Sequence, residues 1–70
     1  MKKIDDYNLS TQEVSALIDL WIFNERDRRI LKRRLIDGLT YESLAEEFDL
    51  STPRIKTIVY KCQDKVFKHI

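Results

Sequence analysis

Between Ser51 and Cys62 the apolar residues Ile55, Ile58, Val59 and Cys62 recur at helical spacing, which leaves Thr52, Pro53, Lys56, Thr57 and Tyr60 on the opposite side of the same turns. Hydroxyls and an ammonium on one helix face are the donor and acceptor types that meet base edges in a major groove. Lys61 one turn on, with Arg28, Arg29 and Arg33 from an Arg-rich segment upstream, supplies charge suited to phosphates. The chemistry these residues suggest is recognition without bond making: Lys56 and Thr57 aimed into the groove, Thr52 and Tyr60 beside them, and the other cations near the backbone.

Reactive chemistry is poorly supplied. Cys62 is the only cysteine, so no internal disulfide is possible, and a metal site would need His69 plus acidic ligands. A single glycine excludes a glycine-rich phosphate loop, and the lone Cys and His form no local nucleophile and base pair. Cys62 reads as a small buried hydrophobe. No enzyme, cofactor or metal is expected.

The elements that must position these residues can be marked from periodicity and punctuation. Ser10 opens a first helix with Glu13 completing a capping box, and Val14, Leu17, Ile18, Trp21 and Ile22 form its inward stripe. Asn24 caps a second helix that runs to about Ile36, with Ile30, Leu31 and Leu35 inward and Arg26, Arg28, Arg29, Lys32, Arg33 and Arg34 around the rest. This basic face is read either as an ordinary solvated surface or as a phosphate contact. Asp37-Gly38 stops the helix, since glycine takes the left-handed conformation without a Cβ penalty. Thr40 caps a short third helix through about Phe48, with Leu44, Ala45 and Phe48 inward. After the turn Asp49-Leu50-Ser51, Ser51 caps a fourth helix, and Pro53 falls in its first turn, where a missing N–H is harmless.

Seventy residues make one domain, 1–70, because so short a chain buries only about 60% of its unfolded surface. Residues 1–9 are expected to be a flexible N-terminus. With 43% apolar and 36% charged residues the chain is too hydrophobic for disorder and too charged for a bilayer. No apolar run approaches the roughly 20 residues a membrane span requires, so no membrane association and a cytoplasmic location are expected. The fold class is all-α: four helices ending in a helix-turn-helix without a wing.

A short helix, a tight turn and a longer helix is how a helix-turn-helix presents its second helix to DNA. Ala45 is small where the two helices approach, Leu50 lies in the turn, and Ile55 and Ile58 anchor the second helix beneath it. Asp37, Gly38, Thr40, Tyr41, Leu44, Ala45, Phe48, Ser51, Arg54, Ile55, Lys56 and Ile58 match the landmarks of a known family. From Asn24 to Ile70 the sequence resembles region 4 of sigma-70-type RNA polymerase sigma factors. With Val14–Phe23 as a first helix, the resemblance covers about four-fifths of the chain.

Two positions depart from that pattern. Ser43 stands where family members usually carry Glu, so the cap at Thr40 is expected to lack its reciprocal partner. Thr52 and Pro53 stand where primary sigma factors carry the Arg and Glu that reach promoter bases, which implies a thinner base readout. A sequence of this length is expected to hold region 4 alone and to resemble the small sigma-like proteins of bacterial and phage genomes.

The net charge of +1 is small for a DNA binder, but its distribution is uneven. Residues 51–70 hold five basic residues and one acid, while 37–49 hold five acids and no base. The resemblance and the charge pattern favour a transcription regulator or sigma-like accessory module that binds double-stranded DNA, with 51–69 as recognition helix. The alternative is a protein-interaction module that contacts RNA polymerase core or a sigma factor. Leu20 and Phe23 lie off the first helix's stripe, either as part of such a contact or as cover for the end of the fourth helix, where Phe67 and Ile70 also need burial. A homodimer is compatible with a module that makes few contacts, although no heptad pattern argues for one.

Overall fold

Each helix of this chain starts at a side chain that can satisfy the free N–H groups of a first turn. In the computed structural model, which describes residues 10–68, Ser10 Oγ accepts from the Glu13 N–H at 3.2 Å and Glu13 Oε1 accepts from the Ser10 N–H at 3.3 Å. This capping box opens α1, Thr11–Trp21. Asn24 Oδ1 accepts from the Asp27 N–H at 3.1 Å and opens α2, Glu25–Leu35. Thr40 Oγ1 accepts from the Ser43 N–H at 3.1 Å at the head of α3, Tyr41–Phe48. Ser51 Oγ accepts from the Arg54 N–H at 3.2 Å at the head of α4, Thr52–Phe67, with Pro53 in the first turn. The sequence-derived expectations for residues 1–9, His69 and Ile70 lie outside the described residues.

Where Glu would complete the box at α3, Ser43 gives a different answer. The Thr40 hydroxyl donates to Ser43 Oγ at 3.0 Å while accepting from the Ser43 N–H, so the turn closes on a hydroxyl pair.

Both sharp reversals use the left-handed region. Gly38 has φ 72°, as its place after α2 predicts. Asp49, read from the sequence only as part of a turn, ends α3 at φ 56°, ψ 46°. Aspartate is among the few residues with a side chain that visit this conformation, because its short polar group can bond locally. Its reversal lets the Leu50 N–H bond back to the Ala45 carbonyl at 3.0 Å and delivers Ser51 to its capping position.

α4 lies against α2 and α3, and α1 closes the remaining side. Val14, Ile18 and Ile22 from α1 and its cap, Ile30 and Leu31 from α2, Leu44 from α3, and Ile55, Ile58, Val59, Cys62 and Val66 from α4 form one core. Burying each of the larger aliphatic side chains stabilises by about 1.5–3 kcal/mol, so this cluster fixes how α4 sits. No polar or charged side chain is buried among the described residues.

Leu17, Trp21, Leu35, Ala45 and Phe48, expected inward, form a half-buried rim packed on that core. Four short helices have too little surface to enclose every apolar position. Leu20 and Phe23 remain 60% and 74% exposed, so they do not serve as cover for the end of α4. Phe23 lies beside α4, with Lys65 Nζ 5.6 Å from its ring centroid.

Candidate nucleic-acid interface

The inner side of α4 is fixed by burial of Ile55, Ile58, Val59 and Cys62, and this dictates what the outer side presents. Pro53, Lys56, Thr57, Tyr60 and Lys61 are exposed, and Thr52 in the first turn is half-buried. The structure therefore brings the α4 candidates together on one face. The Thr57 hydroxyl donates to the Pro53 carbonyl at 3.0 Å, which fixes its rotamer and leaves its oxygen as an acceptor. Lys56 Nζ lies 5.7 Å from the Tyr41 ring centroid, and the Tyr60 ring meets Tyr41 edge-on at 6.1 Å.

The three candidate arginines of α2, Arg28, Arg29 and Arg33, are placed differently from one another. Arg28 turns toward α1: its Nε donates to the Ile22 carbonyl and its Nη2 to the Asp19 carbonyl at 3.0 Å. Those acceptors belong to the last turn of α1, where carbonyls lack partners within the helix and a cation complements the dipole. Arg33 turns toward α3, with Nε 3.0 Å from Glu47 Oε2, Nη2 2.6 Å from Glu47 Oε1, and Nη1 3.0 Å from Asp37 Oδ2. Arg29 stays exposed beside an open pocket of about 500 Å³ lined with Lys32, Arg33, Glu47 and Phe48.

The basic face of α2 is thus largely a fastening. Lys32 pairs with Asp19 of α1 at 2.7 Å, Arg26 with its neighbour Asp27 at 3.4 Å, and Arg34 Nη1 donates to the Leu39 carbonyl at 2.8 Å. Repeated cations along one helix read equally well as a polyanion surface, because sequence does not reveal which carboxylates and carbonyls come within reach.

Two participants escaped the sequence reading. Tyr41 and Arg34 face one another across the Gly38 reversal, with the guanidinium carbon 4.3 Å from the ring centroid. The signal was present: a cation and an aromatic flanking a tight turn are returned to each other by it. Burial, aided by the Tyr60 hydroxyl, pushes the Tyr41 phenol above its ordinary range. The Arg33 guanidinium holds the Glu47 carboxyl below the usual carboxylate range, and burial pushes the Cys62 thiol up, away from the reactive thiolate.

A short helix, a left-handed reversal and a longer capped helix with a polar outer face define the helix-turn-helix class of DNA-recognition domains. The residue match is more specific. A family model described as Sigma-70, region 4 matches residues 23–68, and the chain belongs to that family, whose members bind DNA and components of RNA polymerase. The matched range takes in α2, α3 and α4, while α1 lies outside it. Neither the curated proteins nor the solved structures hold a significant match to the chain. No helix among the described residues is long and apolar enough to cross a membrane.

Proposed function

We propose that this chain is a transcription regulator or sigma-like accessory module that inserts α4 into the major groove of double-stranded DNA. The observation that carries this reading is the outer face of α4, where Pro53, Lys56, Thr57 and Tyr60 are exposed together while the core grips the opposite side. Recognition helices read bases from their first turns and leave phosphates to flanking cations. Lys56, Thr57 and Tyr60 are assigned to base edges, with Thr52 and Pro53 at the entry of the helix, and Lys61 and Arg29 to phosphates. Arg28 and Arg33 support the interface by holding α1 and α3 on α2.

The test is selection of duplexes from a randomised library at two salt concentrations. The unaltered chain should enrich a short motif, and Lys56→Ala should relax one or two positions in it, at about 1–3 kcal/mol for a good base contact. No enrichment and no salt-dependent affinity would end the DNA reading.

A second reading is favoured by the exposure of Leu20 and Phe23, which leaves an apolar edge beside Lys65. On that reading α1 contacts RNA polymerase core or a sigma factor. Phe23→Ser would then abolish co-purification with polymerase while leaving duplex binding intact.

A further inference from the structure

One aromatic ring at the junction of α2, α3 and α4 collects three neighbours. The Arg34 guanidinium carbon lies 4.3 Å from the Tyr41 centroid, Lys56 Nζ lies 5.7 Å from it, and the Tyr60 ring meets it at 6.1 Å with the planes 82° apart. Tyr41 is half-buried in the first turn of α3, directly after the Thr40 cap, so its backbone is fixed and its ring has little room to move. Arg34 is fixed as well, through its bond to the Leu39 carbonyl at 2.8 Å.

A packing role explains the burial of the ring but not its company. Two like charges drawn to one ring repel each other, and the negative face of the aromatic system is what offsets that repulsion. Of the three neighbours, Lys56 and Tyr60 stand four residues apart on the outer face of α4, the face assigned to base edges. A lysine on an open helix surface samples many rotamers, and ordering it on binding costs conformational entropy. An ammonium already held over a ring loses less.

We infer that Tyr41 is a positioning residue for base readout: its ring holds the Lys56 ammonium in place on α4, so Tyr41 sets the preference at base positions it need not touch. This inference rests on the DNA reading above. It adds that discrimination depends on the electron density of a side chain from the preceding helix.

The test uses the full 70-residue chain, short enough for chemical synthesis, in five forms: unaltered, Tyr41→Phe, pentafluorophenylalanine in place of Tyr41, Lys56→Ala, and the last two changes combined. Phe keeps the negative ring face, whereas pentafluorophenylalanine keeps nearly the same shape and reverses its charge distribution, so folding is maintained across the series and is checked by thermal melting. Affinity for the enriched duplex and for single-base variants of it is measured by fluorescence anisotropy. Tyr41→Phe should keep the preference at the Lys56 positions and is the reference for the fluorinated ring. The fluorinated ring should weaken binding by roughly two- to five-fold, the range of an exposed cation–π contact, and relax the same base positions as Lys56→Ala. The combined form should be no weaker than Lys56→Ala alone.

The inference is overturned if the fluorinated ring weakens all duplexes alike, if its effect adds to that of Lys56→Ala, or if it has no effect. Should the unaltered chain bind no duplex, the DNA reading falls and this inference falls with it. Should it bind selectively while the ring series stays flat, the DNA reading stands and only the role of Tyr41 is lost.

Discussion

Arg33 grips Glu47 with two parallel bonds, Nε to Oε2 at 3.0 Å and Nη2 to Oε1 at 2.6 Å, and so clamps the end of α2 to the end of α3. The same guanidinium reaches Asp37 at 3.0 Å, at the α2 stop itself. A fork-to-fork pair of this kind fixes direction as well as distance. It orients the short helix of the helix-turn-helix on its neighbour, and it neutralises a carboxylate that would otherwise repel phosphate.

The pair makes stability depend on pH in a definite direction. Arg33 lowers the Glu47 pKa in the folded chain, so the unfolded chain binds more protons and the stabilisation is complete above the ordinary carboxylate range. It is lost as pH falls through the depressed folded value. In urea titrations between about pH 6 and pH 2.5, Glu47→Gln should be less stable than the unaltered chain at the upper end and equal to it at the lower. Both partners are exposed, so added salt should shrink the difference. A gap between the two chains that stays constant across pH would contradict this account.

Gly38 should be costly to replace for a backbone reason alone. Its φ is 72°, and a Cβ built there meets nothing within 4 Å. Gly38→Ala should therefore destabilise by about 1–2 kcal/mol, the cost of holding a residue with a Cβ in the left-handed region, and Gly38→Asn by less. Denaturant midpoints decide it, and a loss several times larger for Ala would mean a steric neighbour.

The second left-handed position predicts a gain. Asp49 holds φ 56° with an exposed side chain, so Asp49→Gly should raise stability by about 0.5–1 kcal/mol despite the greater freedom of the unfolded chain. A fall in the urea midpoint would show that the carboxylate contributes more than the strain it imposes.

How much of this was legible follows from which forces are local. The caps at Ser10, Asn24, Thr40 and Ser51 and the stop at Gly38 act within one turn, so the residue types reveal them and the four helices stand where the sequence puts them. The outer face of α4 follows from one periodicity. The roles of Arg28, Arg33 and Arg34 do not, because each is decided by an acceptor brought close only by tertiary packing: the end of α1, Glu47, and the Leu39 carbonyl. Asp49 escaped because three residues between helices admit several turns.

The core and the exposed edge should answer mutation in opposite ways. Ile30 is fully buried, so Ile30→Ala should cost about 2–5 kcal/mol and leave so small a domain largely unfolded. Phe23 is 74% exposed, so Phe23→Ser should stay within about 0.5 kcal/mol of the unaltered chain. Circular dichroism melts separate these outcomes, and a large loss at Phe23 would place it in a contact within the chain.

The salt dependence of duplex binding distinguishes cations that face phosphate from those that fasten helices. Each phosphate neutralised releases counterions, and the plot of log affinity against log salt steepens by about 0.9 per contact. Lys61 and Arg29 are exposed and assigned to phosphates, so Lys61→Ala and Arg29→Ala should each weaken all sequences alike and reduce the slope by about one unit. Arg33 is already matched by Glu47 and Asp37 and contributes little net field at the DNA surface. Arg33→Ala should therefore leave the slope nearly unchanged, and any loss of affinity should track the loosening of α3, visible as a lower melting temperature. A full unit of slope lost at Arg33, with Lys61 and Arg29 silent, would assign the phosphate contact to Arg33 and take α4 out of the groove.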